Sequence, residues 1–208
     1  MILNKKNSLE GRIYPAPVFS KKEESGAGFT LVEMLVSISI IGIMTVIFLV
    51  NYHSTNKRSE IIVTAQKLAT DIRLTQSYSL GSVEYNGAVP AGGWGVYFTT
   101  DTTDNNKYII YADDGISAGQ RVEYFYDNET LEKYKEIMLP SGIIINGITI
   151  DDQSRTEAHI TFEPPDPITH IRFNPNDHDD VLIELENVDI GATSNVQVNF
   201  FGLIDIIK

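Results

Sequence analysis

One carboxylate stands where a carboxylate is hardest to keep. Glu33 is the only charged residue between Glu24 and Lys57, and it lies near the start of an apolar run from Phe29 to Val50. An ionised side chain in lipid is expensive and is normally paired or functional, so Glu33 needs a partner or a task. Other chemistry-bearing residues point to less. The stretch Asn174-Pro175-Asn176-Asp177-His178-Asp179-Asp180 is dense in the hard oxygen ligands that calcium takes, with Asp177, Asp179 and Asp180 as its candidates. It lacks EF-hand spacing, and Asx- and Pro-rich loops are ordinary turn chemistry, so neither a metal nor a cofactor is assigned. The histidines, His53, His159, His170 and His178, are scattered, with His159 and His170 on neighbouring predicted strands. Carboxylates abound, yet none has a companion base, glycine loop or nucleophile motif. Gly92-Gly93-Trp94-Gly95 is no phosphate loop, because neither a lysine nor a helix follows it. Trp94 reads instead as packing at a helix–sheet junction. The chain has no cysteine, which excludes thiol catalysis and cysteine-ligated metals.

The elements that would position these residues follow from periodicity. Phe29 to Val50 spans about 33 Å as a helix, enough to cross a bilayer. From Phe29 to Leu80 there is no proline and a single glycine, Gly42. Beyond the span the pattern turns amphipathic: Ile61, Ala65, Leu68, Ile72 and Ser79 fall on one side. Gly81 then ends the helix. The expectation is one helix of about 50 residues, with residues 29–50 transmembrane and 51–80 packing one stripe against a domain. After Gly81 the period becomes two. Predicted strands are Gly95–Thr99, Lys107–Ala112, Gln120–Tyr126, Leu131–Leu139, Ile143–Ile150, Ala158–Phe162, Ile168–Phe173, Val181–Glu186 and Val196–Ile207. Short strands at close spacing favour an antiparallel sandwich or paired sheets, with the amphipathic helix covering one sheet. The fold class is therefore α+β. Its natural divisions are 1–28 (leader), 29–80 (helix) and 81–208 (β-rich domain).

Charge is distributed unevenly along this plan. Residues 1–28 are net +2, while residues from Gly81 onward are net −15 in a chain of −12 overall. A general nucleic-acid binder shows a basic footprint, so nucleic acid is not an expected partner. Positive charge before the span and acidic mass after it favour a cytoplasmic N-terminus and an extracytoplasmic domain. A secretory signal peptide fits poorly: the apolar run exceeds an h-region, and no small-x-small site follows Val50. A plain signal anchor would need only the apolar run.

Gly28-Phe29-Thr30-Leu31-Val32-Glu33, with its apolar run, resembles the processing site of type IV prepilins and type II secretion pseudopilins. The resemblance implies cleavage between Gly28 and Phe29 by a membrane-embedded prepilin peptidase, then methylation of the Phe29 amine. A side-chain-free Gly28 lets a protease approach the peptide bond closely. The cut would leave a cationic amine one helical turn from Glu33, whose carboxylate could meet the amine of an assembled neighbour. Thr30 would assist as a hydroxyl partner, and Gly42 matches a glycine often found in the pilin helix. The helix-breaking proline of major pilins is missing near Val50. The alternative for Glu33 is a carboxylate that caps the helix N-terminus and complements its dipole.

Further along, Arg73–Ser79, Gly93–Phe98, Leu139–Ile143 and Phe201–Ile204 resemble the pseudopilin H and FimT-type group. This implies a β-sandwich-like domain on a pilin helix. The expected protein is thus a non-enzymatic minor pilin or pseudopilin. It is stored in the inner membrane, then assembled into a type IV pilus or type II secretion pseudopilus. Its partners would be other pilin-like subunits, the peptidase and an inner-membrane assembly platform. A DNA-uptake or adhesion pilin is one alternative. A membrane-anchored periplasmic binding domain or hydrolase is another; it would need a concave site with convergent carboxylates of perturbed pKa.

Overall fold

A computed structural model of the chain describes residues 28–115, 124–126, 132–165, 168–174 and 176–207, with 50–54 as backbone only. The leader before Gly28 and most of the predicted strand Gln120–Tyr126 lie outside the described residues. The chain divides into two compact units, residues 1–45 and 46–208. One helix, α1, runs Leu31–Leu80, as the proline-free stretch requires.

In the second unit the predicted stripe of α1 is the buried one. Ile61, Ala65, Leu68, Ile72 and Ser79 are each no more than 2% exposed, joined by Ala69. Thr64 and Thr75 are also buried, and each hydroxyl donates to the carbonyl one turn back, Glu60 O at 2.8 Å and Asp71 O at 2.9 Å. Buried hydroxyls need such partners.

Eleven strands follow among the described residues: β1 Gly93–Thr99, β2 Lys107–Asp113, β3 Lys133–Met138, β4 Ile143–Ile150, β5 Gln153–Arg155, β6 Glu157–Glu163, β7 Ile168–Phe173, β8 Asn176–Asp177, β9 Asp180–Asn187, β10 Ala192–Asn199 and β11 Ile204–Ile207. They form two sheets, ordered β3-β2-β1-β6-β7-β8 and β11-β10-β9-β4-β5. Every pairing is antiparallel. The second sheet shows the alternation of one buried face: Val181, Ile183 and Leu185 of β9 face the core, with Val196 and Val198 beside them on β10. In the first sheet Trp94, Val96, Phe98, Ile110, Ala158, Ile160 and Phe162 supply the facing layer. Each of the larger aliphatic and phenylalanine side chains among them, fully buried, contributes roughly 1.5–3 kcal/mol.

Polar ties hold α1 to both sheets, where the sequence had suggested cover for one. Ser79 Oγ donates to Phe162 O at 2.5 Å and accepts Trp94 N–H at 3.2 Å, and Tyr108 OH donates to Asp71 at 2.5 Å. On the other sheet, Arg73 donates to Ile204 O at 2.6 Å and Gln76 to Gly202 O at 3.3 Å. Trp94 does pack at the helix–sheet junction, against Tyr78, Tyr85 and Tyr134, with its indole N–H on Val83 O.

Two strand readings need correction. Val196–Ile207 is a hairpin, not one strand. Asn199 Oδ1 accepts the N–H groups of Phe201 and Leu203, and Gly202 takes φ +74°, turning the chain between β10 and β11. The short polar strands β5 and β8 carry no apolar alternation that sequence could reveal.

Candidate assembly segment and a cavity on the sheet face

Thr30 is the residue before the first turn of α1, and Glu33 lies in that turn. Thr30 Oγ1 accepts Glu33 N–H at 3.2 Å, while Glu33 Oε2 accepts both Thr30 N–H and its hydroxyl at 3.3 Å. This reciprocal capping box satisfies two backbone donors that the helix leaves open. Glu33 therefore does cap its own helix. The bonds occupy one carboxylate oxygen, and no hydrogen bond engages Oε1 among the described residues.

The rest of the segment makes no demand on its own chain. A Cβ added at Gly28 or Gly42 would meet nothing within 4 Å. Neither glycine is thus required by packing among the described residues. From Leu31 to Leu49 every residue is exposed, over a stretch of mean hydropathy 2.4 long enough to cross a membrane. Ser37, Ser39 and Thr45 donate to carbonyls one turn back, each at 2.8 Å, which leaves no hydroxyl seeking water.

A family model described as "Prokaryotic N-terminal methylation motif" matches residues 26–49. The chain carries a type IV pilin-like methylation motif. No curated protein and no solved structure matches the chain. The motif supports a pilin- or pseudopilin-like precursor that is processed by prepilin peptidase and associates with other such subunits. It points to a structural, non-enzymatic protein, and with the apolar helix it fits a single-pass membrane anchor.

In the β-rich unit, the predicted loop sends the Asp177 and Asp180 carboxylates to separate partners, while Asp179 bonds Asp151 through its backbone N–H. Asp177 binds Arg172 at 2.7 Å and His170 at 3.3 Å, while Asp180 accepts Gln197 at 3.0 Å. Burial raises the Asp177 pKa, but Arg172 and His170 outweigh it and hold the carboxyl below its ordinary value. His178 contacts Asp151 at 2.7 Å, and that hydrogen bond lowers the Asp151 pKa. The carboxylates that do gather, within 4.8 Å of one another, are Asp113, Asp114 and Glu132, the one such group among the described residues. Asp113 is buried, which pushes its pKa up to about 6 against the opposing N–H bonds of Gly115, Tyr124 and Phe125.

The glycine run proves to be a packing device. A Cβ on Gly93, at φ +95°, would lie 2.0 Å from Phe162 O, and one on Gly95 would lie 2.4 Å from Tyr111 Cζ. The bare Gly95 lets the Tyr111 ring lie across β1 and reach Thr161 Oγ1 at 2.6 Å.

That outer face of the first sheet also holds a cavity of about 360 Å³, which sequence reading missed. Tyr97 of β1, Ile109 of β2 and His159 of β6 line it, covered by Phe125 and Tyr126. Register makes Tyr97 the direct partner of both Ile109 and His159. The only advance signal was aromatic and histidine positions on one strand parity. His159 and His170 share this face, but His159 contacts Tyr97 and Phe125, whereas His170 stacks on Tyr124 at 3.7 Å. Burial drives the His159 pKa down to about 3, so the ring is neutral. Burial, then Glu157, pushes the Tyr97 phenol up to about 12. Glu136 on the rim is lowered, chiefly by the Lys133 hydrogen bond, the opposite of what a general acid needs.

Proposed function

We propose that this chain is the precursor of a minor pilin or pseudopilin, a structural subunit cut between Gly28 and Phe29 and N-methylated on Phe29. The observation that carries this reading is the matched segment itself: an apolar helix whose side chains from Leu31 to Leu49 the described residues leave uncovered, opened by a capped carboxylate. Lipid covers such a surface in the stored subunit, and neighbouring helices cover it in a filament. The capping box orients Glu33, with Oε1 left to accept the methylated amine of an adjacent subunit. Breaking a desolvated pair of this kind costs about 3–5 kcal/mol, enough to enforce axial register. The charge distribution, with residues 1–28 net +2 and the domain from Gly81 net −15, favours a cytoplasmic N-terminus and an acidic domain outside. The missing proline near Val50 and the short motif likenesses beyond residue 73 favour a minor subunit of a secretion pseudopilus or type IV pilus, assembled on an inner-membrane platform.

Mass spectrometry of the membrane-extracted protein tests this. The expected terminus is N-methylated Phe29, and recovery of only the uncut chain from cells with active peptidase would overturn the reading. Gly28→Val should block cutting while leaving the fold unchanged, since an added Cβ there meets nothing among the described residues.

A further inference from the structure

The cavity over β1, β2 and β6 has the size of a small-molecule site, about 360 Å³. Its wall is aromatic: Tyr97 and Phe125 approach His159 with ring centroids at 4.8 and 4.7 Å. Its rim is ionic but internally matched. Lys107 binds Asp104 at 2.8 Å and Glu136 at 3.6 Å, and Lys133 also binds Glu136. A charged ligand would have to break these pairs, whereas a neutral one can use their spare lone pairs and N–H groups.

His159 supplies the decisive atom. The residue is 3% exposed, and its Nδ1 accepts Tyr126 N–H at 3.0 Å. The ring proton must therefore sit on Nε2, which has no hydrogen-bond partner among the described residues although the ring lines the cavity. Facing the cavity, that uncharged N–H is available to an acceptor bound there. Near it, Glu157 accepts the Tyr97 hydroxyl at 3.2 Å and keeps further acceptor capacity.

Aromatic faces, one neutral N–H donor and carboxylate acceptors together suit a molecule with apolar C–H faces and uncharged hydroxyls. We propose that this cavity binds one neutral pyranose unit of a glycan. Its C–H face packs on Tyr97 and Phe125, one ring oxygen or hydroxyl accepts from His159 Nε2, and another hydroxyl donates to Glu157. The assignment stands whether or not the chain enters a filament.

The test uses the full chain in a phosphocholine detergent, which avoids sugar headgroups. Methyl glycosides of glucose, galactose, mannose and N-acetylglucosamine are titrated by saturation-transfer NMR. At least one should bind with a millimolar Kd that added salt leaves unchanged. His159→Asn keeps an acceptor for Tyr126 N–H but removes the Nε2 donor, and should weaken binding about tenfold. Unchanged Trp94 emission at neutral pH reports an intact fold. Glu157→Gln, at a half-buried rim position, should weaken binding severalfold without touching the core. Absence of transfer to every glycoside overturns the proposal. So does equal binding by both variants, or a preference for a charged sugar that weakens steeply with salt.

Discussion

Replacing His159 with asparagine should remove much of the acid sensitivity of the β-rich unit. Burial holds the folded pKa of His159 at about 3, against 6.5 for an ordinary imidazole. Between those values the unfolded chain binds one more proton than the folded one. Stability therefore rises with pH through this window, is complete above 6.5, and is lost as pH falls toward 3. At pH 4.5 the deficit is two pH units at about 1.4 kcal/mol each, or about 3 kcal/mol. Asn keeps the Tyr126 N–H satisfied and cannot be protonated, so any loss from its smaller volume is independent of pH. Asp113 acts in the opposite sense. Its raised pKa of about 6 adds stability below 3.8 that is lost as pH climbs through 6, but both proteins carry it and it cancels in the comparison. Urea unfolding of the full chain in micelles at pH 7.5 and 4.5, followed by the single Trp94, gives both differences. The wild type should lose about 3 kcal/mol more on acidification than the variant. Equal losses would refute the buried, neutral imidazole.

Gly95→Ala would place a methyl 2.4 Å from Tyr111 Cζ, and by overpacking should lower the unfolding free energy by about 1–3 kcal/mol in the same urea assay. Leu68→Ala opens a cavity beneath the buried stripe of α1, where Leu68 is 1% exposed, and should cost about 2–5 kcal/mol. If α1 only brushed the sheets, its unfolding midpoint would not move. Glu33→Ala should leave cleavage after Gly28 intact while the subunit fails to enter filaments, scored by immunoblot of sheared filaments. Thr30→Ala removes the cap alone, worth about 1 kcal/mol, and should reduce incorporation far less. Equal defects in the two variants would mean that capping, not intersubunit pairing, is the task of Glu33.

The N-terminal motif segment was legible because everything in it is local. Capping at Thr30 and Glu33 depends on a three-residue spacing, and the unbroken α1 follows from missing prolines over 50 residues. Its buried stripe follows from a 3.6-residue period, which survives whatever the helix packs against. Most strands were equally readable from period-two apolar alternation. Neighbours in space were not. The placing of β1 between β2 and β6 brings Tyr97, Ile109 and His159 to one face, and no local pattern encodes strand order. The roles of the glycines at 93 and 95 likewise appear only once Phe162 O and the Tyr111 ring arrive from distant strands. The sequence by itself thus determined the methylation motif, the helix and its cap, because helix chemistry acts within a turn. Tertiary structure alone decided the cavity, because antiparallel pairing joins residues more than 60 positions apart.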